Sequence, residues 1–228
     1  IALTLAAYGA DVAVHCTSQT AAQSAAEEIR SMGRGSIAIA ADLEREDCAE
    51  LIFSKIERDW GGVDILVLNA SVQLPKAWQD ITAEEFVRQI NVNLRASLLL
   101  IQRAAPYMTA QRWGRIITIG SVQEVKPHPD MLVYSSSKAA QTTMVKSLAA
   151  QLAPASITVN NVAPGVILTD RNTAALADPV YARKVKGLIP MAYFGETRDC
   201  AGPVLLLASE AGRYITGESI IVDGGKAL

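Results

Sequence analysis

The sequence predicts a single α/β domain of 228 residues built on a doubly wound, mostly parallel sheet. Three observations lead there. Short β-branched runs alternate with longer helical patterns along the whole chain. The runs are apolar at successive positions, as in strands covered on both faces, and right-handed crossovers then place helices on either side. Half of the residues are hydrophobic and 19% are charged, which suffices for a sizeable core without disulfides or metals.

The elements follow in order. The chain opens with IALTLAAYGADVAVH, in which Ile1 to Tyr8 reads as part of an amphipathic helix, Gly9-Ala10-Asp11 as a turn and Val12 to His15 as a strand. Strands are expected at 12–16, 36–40, 63–68, 115–119, 157–162 and 219–222. Helices are expected at about 20–31, 44–58, 84–110, 132–152 and 198–208. The stretch from Val166 to Glu196 fits neither pattern. It reads either as a substrate-covering segment or as a surface insertion, since long excursions inside a domain tend to be functional.

Composition narrows the function classes. A net charge of −2 without a block of either sign argues against nucleic acid or an anionic membrane as the main partner. Cys16, Cys48 and Cys200 have no paired spacing, which suits free thiols in a reducing compartment, so a cytoplasmic location is expected. Two histidines, His15 and His128, give no zinc cluster, and no metal is expected. No apolar run reaches the ~18–20 residues that cross a bilayer. A small-molecule substrate remains.

A dinucleotide site in such a sheet needs a glycine-rich turn after the first strand. GRGSIA at 33–38 matches by letter, but it follows a helix and leads into a strand, so it reads as a helix end. The catalytic signal lies elsewhere. Tyr134 and Lys138, in YSSSK, are four residues apart on one helix face. Ser121 ends the strand RIITIGS, at the carboxyl edge where doubly wound sheets bind ligands. Asn93 lies in INVNL, in the helix before that strand. Singly, each has an ordinary reading: a packing tyrosine, a solvated lysine, a turn serine, an asparagine bonded to backbone.

Together, a serine at a strand end thirteen residues before Y-x-x-x-K resembles the short-chain dehydrogenase/reductase family, with its Rossmann-like fold. The resemblance covers nearly the whole chain. Asp42-Leu43 resembles the acidic pair that meets the adenine, although Asp42 would also serve as a helix N-cap. Leu68-Asn69-Ala70-Ser71 resembles the N-N-A-G motif, differing at its first and fourth positions. Asn91-Val92-Asn93 resembles the stretch with the active-site asparagine. Pro164-Gly165-Val166-Ile167-Leu168-Thr169 is similar to the segment that closes over nicotinamide, and Val222-Asp223-Gly224-Gly225 to the usual ending.

The resemblance implies cofactor contacts at Asn69, Ala70, Tyr134, Lys138, Pro164, Gly165, Ile167 and Thr169, besides Asp42 and Leu43. It also implies a homotetramer paired through the helices at 84–110 and 132–152. In this family a first strand and a glycine-rich turn come just before the point where this sequence starts. The expectation is therefore a central strand lying before Ile1, without which the sheet is split between 12–16 and 63–68 and cofactor binding is weak.

The chemistry fits hydride transfer to a carbonyl. The developing alkoxide needs a proton donor, and the reverse reaction needs a base. A free phenol, pKa ~10, needs a shift of ~2–3 units to act near neutrality, about 3–4 kcal/mol. An ammonium at ~4 Å supplies that much at an effective dielectric of ~20. Lys138 is thus expected to tune Tyr134 and, by resemblance, to hold the nicotinamide ribose. Ser121 would stabilise charge on the substrate oxygen, and Asn93 would hold a water in a proton path.

After the strand at 12–16 comes His15-Cys16-Thr17-Ser18, with no acid to repel a 2′-phosphate and with hydroxyls at Thr17 and Ser18 that can donate to one. NADP is the preferred cofactor, with NAD the alternative. The stretches 122–131, 72–80 and 166–196 would line the substrate site, with Gln123, Glu124, Lys126 and His128 in reach. The polar stretch 122–131 resembles that of sugar- and polyol-oxidising members, and much of the rest is equally similar to 3-oxoacyl-thioester reductases. A small polar sugar- or polyol-like alcohol or ketone is therefore expected, with a 3-oxoacyl thioester as the alternative. A serine hydrolase fails, because the flanking positions of Ser121 that an elbow needs as glycine are Ile119 and Gln123. A non-catalytic dinucleotide sensor would be expected to lose the tyrosine or the lysine, and both are present.

Overall fold

All six expected strands form, and every pairing between them is parallel. The computed structural model describes residues 1–228. The chain runs α1 (Ala2–Ala7), β1 (Val12–Cys16), α2 (Gln19–Ser31), β2 (Ser36–Ala40), α3 (Cys48–Trp60), β3 (Ile65–Leu68), α4 (Ala83–Ile90), α5 (Ala96–Gln111), β4 (Gly114–Ile119), α6 (Leu132–Leu152), β5 (Ile157–Pro164), α7 (Asp170–Leu176), α8 (Pro179–Lys186), α9 (Thr197–Ala208) and β6 (Ser219–Val222).

The strands make two sheets. β1 pairs with β2, and β3, β4, β5 and β6 pair in that order. Residues of β1 and β3 line a cavity of about 1750 Å³ that continues to Ser121 and Tyr134. No ladder joins β1 to β3.

Strand β4 shows why the sheet must be covered on both faces. Its six residues are all buried. Ile116 joins the larger core cluster with Phe53, Leu100, Ile101, Val145 and Val159, drawn from α3, α5, α6 and β5. Ile117 and Ile119 point the other way, into a cluster with Leu5, Val162, Val204 and Leu207 from α1, β5 and α9. This is the period-two alternation of a strand sandwiched between helix layers.

Three expected boundaries move, each for a local reason. The helix expected at 84–110 is broken at Asn91–Arg95 by a π turn, where the Asn93 carbonyl accepts from Gln141 Nε2 at 3.3 Å and Ser97 Oγ at 3.3 Å. The helix expected at 44 starts at Cys48. Asp42 caps a turn there instead, its Oδ1 accepting from the Glu44 N–H at 2.9 Å. The irregular stretch 166–196 contains α7 and α8, and its residues Thr169, Arg171, Tyr181 and Lys184 line the cavity.

Ile116 is fully buried, and its removal leaves a hole that helices on a sheet cannot collapse to fill. Ile116→Ala is expected to cost ~2–5 kcal/mol of unfolding free energy, read from the midpoint of a urea titration at unchanged slope.

Candidate active site

In a parallel sheet every strand points its carboxyl end the same way, so the loops that leave those ends gather on one edge. Ser121 leaves β4 there, and Asn69 and Ala70 leave β3. Pro164 ends β5, and Gly165, Ile167 and Thr169 follow it. All of these line the cavity, together with Tyr134 from the first turn of α6. Two close backbone approaches build the edge. A Cβ on Gly120 would lie 2.5 Å from Asn161 Nδ2 and 2.6 Å from Glu124 Oε2. One on Gly165 would lie 2.7 Å from the Asp223 Cα, a backbone atom that cannot give way.

The phenol of Tyr134 is buried and surrounded by the hydroxyls of Ser121 and Ser71 and the guanidinium of Arg171. Burial raises its pKa above the ordinary 10, opposed by the Arg171 charge and by hydrogen bonding from Ser121, Ser71 and Arg171. The phenol therefore holds its proton through neutral pH and can donate it. Ser121 Oγ accepts from the Gln123 N–H at 3.2 Å, which fixes the hydroxyl at the strand end.

Lys138 is 1% exposed, and its ammonium donates to the Ile119 carbonyl at 2.7 Å and to Gln141 Oε1 at 3.2 Å. Burial lowers its pKa to about 7, with the positive charge of Arg171 adding to the fall and Glu124 opposing it. Its nitrogen lies 5.9 Å from the Tyr134 ring centroid. Beside Lys138, which sequence reasoning expected to tune the phenol, a second cation acts on Tyr134: Arg171, from α7.

Asn93 is fully buried in the π turn. Its Oδ1 accepts from the Val72 N–H at 2.8 Å, and its Nδ2 donates to the Val72 carbonyl at 2.9 Å and to Ser137 Oγ at 3.1 Å. Both amide hydrogens are thereby engaged. The side chain thereby ties together the π turn, α6 and the loop after β3.

Other expected residues fall as follows. Thr17 and Ser18 are exposed after β1, and Ser18 Oγ caps α2 by accepting from the Ala21 N–H at 3.4 Å. Asp42 is exposed, whereas Leu43 is buried in the core and lines the cavity. Gln123, Lys126 and His128 line the cavity. Glu124 turns away from it, accepting from Ser219 Oγ at 2.6 Å, Thr142 Oγ1 at 2.8 Å and Asn161 Nδ2 at 3.0 Å.

Sequence reasoning missed Arg171 and Gln141 and gave Ser71, an odd residue of its motif, no role. Arg171 Nη1 donates to Ser71 Oγ at 3.0 Å and Nη2 to the Ser71 carbonyl at 2.8 Å, a hundred residues away in sequence. Gln141, one turn beyond Lys138 on the same face, could have been suspected from its spacing.

A protonated phenol and a fixed hydroxyl, converging at the carboxyl edge of a parallel sheet with a buried lysine one turn on, define a carbonyl–alcohol oxidoreductase site on a dinucleotide-binding fold. Residues 1–227 match the family model described as enoyl-(acyl carrier protein) reductase. The chain is 37% identical over 226 residues to the 3-oxoacyl-(acyl-carrier-protein) reductase FabG of Staphylococcus aureus, covering 99% of this chain and 91% of that one. It is 35% identical over 229 residues to the glucose 1-dehydrogenase of Gluconobacter oxydans, covering 100% of this chain and 86% of that one. A gluconate 5-dehydrogenase from Burkholderia cenocepacia, solved in complex with NADP and tartrate, superposes with a TM-score of 0.93 at 27% identity, covering 99% of this chain and 88% of that one. The chain belongs to the short-chain dehydrogenase/reductase family of oxidoreductases.

The depressed lysine has a measurable consequence for stability. Between about 7 and 10.5 the unfolded chain keeps a proton on Lys138 that the folded chain has released. The stability contributed by this group therefore rises with pH across that window. The Tm of the wild type minus that of Lys138→Met is expected to increase from about pH 6 to about pH 9; a flat difference would show that the ammonium stays charged when folded.

Proposed function

We propose that this chain moves a hydride between NADP(H) and the carbon of a small polar secondary alcohol or ketone of the sugar or polyol type. The observation that carries the reading is the convergence of the Tyr134 phenol and the Ser121 hydroxyl in the cavity, one helical turn from buried Lys138. NADP, when bound, supplies the hydride donor or acceptor.

The donor set fits that cofactor. Thr17 and Ser18 are exposed hydroxyls with no acid beside them, which suits a 2′-phosphate. Asn69, Ala70, Pro164, Gly165, Ile167 and Thr169 line the cavity where the nicotinamide half would lie, with Leu43 towards the adenine and Asp42 beside it. Lys138 has one ammonium hydrogen beyond those given to Ile119 and Gln141, and would hold the ribose with it.

In the reductive direction Tyr134 donates its proton to the developing alkoxide while the Ser121 hydroxyl bonds the same oxygen. In oxidation the phenolate takes the proton back, which requires the raised pKa to be overcome by cations near the phenol. Arg171 is already placed for this, and Lys138 adds to it when protonated. Asn93 keeps the loop after β3 and the start of α6 in register. The segment 166–196 covers the substrate, in keeping with the many cavity-lining residues it contributes.

Kinship with a glucose 1-dehydrogenase and a gluconate 5-dehydrogenase supports a polar substrate. The identity to a 3-oxoacyl reductase favours a second reading, reduction of a 3-oxoacyl thioester. Exposed Trp78, Phe86, Val87 and Leu132, on and beside α4 and α6, support a homotetramer. The three free cysteines support a cytoplasmic location, and no helix is long and apolar enough to cross a membrane.

Two measurements test the reading. With a panel of sugars, polyols, sugar acids and 3-oxoacyl thioesters, Tyr134→Phe is expected to lower kcat by ~10²–10⁴-fold while the cofactor Kd stays within about twofold. Unchanged turnover would remove Tyr134 from the mechanism. With the best substrate, kcat/KM for NADPH is expected to exceed that for NADH by ~10–100-fold, the worth of one charge-assisted contact. A preference for NADH would refute the assignment of Thr17 and Ser18.

A further inference from the structure

The positive charge of Arg171 has no counterpart in the structure. The ion pairs of the chain involve neither Arg171 nor Lys184, although both line the cavity from the 166–196 segment. The hydrogen-bond partners of the guanidinium are neutral: the Ser71 hydroxyl and the Ser71 carbonyl. Two of its five N–H groups go to Ser71, which pins the fork and leaves donors facing the cavity.

The placement is also repulsive, because the Arg171 charge opposes protonation of Lys138. A cation held beside a second cation, with no carboxylate to balance it, is stabilised by an anion arriving from solution. A planar fork with free N–H groups is the geometry that takes a carboxylate in two parallel hydrogen bonds. The substrate oxygen must sit between Ser121 and Tyr134, and Arg171 acts on the same phenol, so a carboxylate on Arg171 lies close to the reacting carbon.

We propose that Arg171 is the residue that selects the substrate, and that the substrates are hydroxy or oxo acids whose carboxylate it binds. This rests on the hydride-transfer reading above and narrows it from polar alcohols to anionic ones. Ser71 is the positioning partner that holds the guanidinium against the phenol. Lys184, on the next helix, adds positive charge along the path by which such an anion enters.

The test compares two four-carbon 2,3-diols that differ only in their ends, tartrate with carboxylates and threitol with alcohols. Their Kd values are measured by calorimetry on the chain saturated with NADP. The wild type is expected to bind tartrate at least about tenfold more tightly than threitol. Arg171→Gln, which can still bond Ser71 but carries no charge, is expected to abolish that preference. Arg171→Lys, which keeps the charge and loses the fork, is expected to retain part of it. Absence of tartrate binding, a preference that survives Arg171→Gln, or an equal loss of NADP affinity in that variant would overturn the proposal; the last would make Arg171 a cofactor residue. Failure of the hydride-transfer reading shows separately, as an absence of turnover on the substrate panel while the binding comparison stands.

Discussion

The hydrogen bond from the Lys138 ammonium to the Ile119 carbonyl, at 2.7 Å, is the contact on which the rest of the site depends. It joins the first turns of α6 to the last residue of β4 through groups withdrawn from water. Ser121 lies two residues beyond one end of this bond, and Tyr134 lies one helical turn from the other. Their mutual placement is thus set by a strand and a helix, which hold geometry better than loops do. Because β4 is buried along its whole length between two helix layers, the anchor has nowhere to move.

Around that bond the interior is polar to a degree unusual for a core. Asn93, Ser97, Ser137 and Gln141 are buried within a few residues of each other, and their hydrogen bonds interlock. Hydrogen-bonded satisfaction offsets most of the cost of burying such groups, and it makes the arrangement specific, since a shifted helix would orphan several at once. The π turn belongs to this network. By widening the helix there it presents the Asn93 carbonyl to Gln141, which in turn accepts from Lys138. Glu124 works similarly on the other side, collecting Thr142, Asn161 and Ser219 from α6, β5 and β6.

The parallel sheet and the Ser121, Tyr134 and Lys138 set were legible because each shows as a local pattern: apolar runs of strand length, a serine at a strand end, a four-residue spacing. What escaped reading was carried by long-range contact. Arg171 and Ser71 meet across a hundred residues, and although each lies in or beside a quoted motif, nothing local shows that the two side chains bond. The burial of Lys138 escaped for the same reason. A four-residue spacing shows that two side chains share a face, but not that the ammonium is withdrawn from water and bonded to the Ile119 carbonyl. Asp42 was a capping residue as one of its two readings held, yet of a turn and not of a helix. Likewise Glu124 reads as a site residue by position and faces inward instead.

The close approach of Gly165 to the last strand has a consequence for where the site can be disturbed. The Gly165 N–H donates to the Val222 carbonyl at 2.9 Å, and a Cβ at Gly165 would lie 2.7 Å from the Asp223 Cα. The segment that lines the cavity from Pro164 to Thr169 therefore leans on residues near the far end of the sequence. Asp223 in turn accepts from the N–H groups of Gly225 and Ala227, which fixes the turn that follows it. A change in that turn reaches the wall of the cavity through backbone contact alone, with no side chain of the site altered.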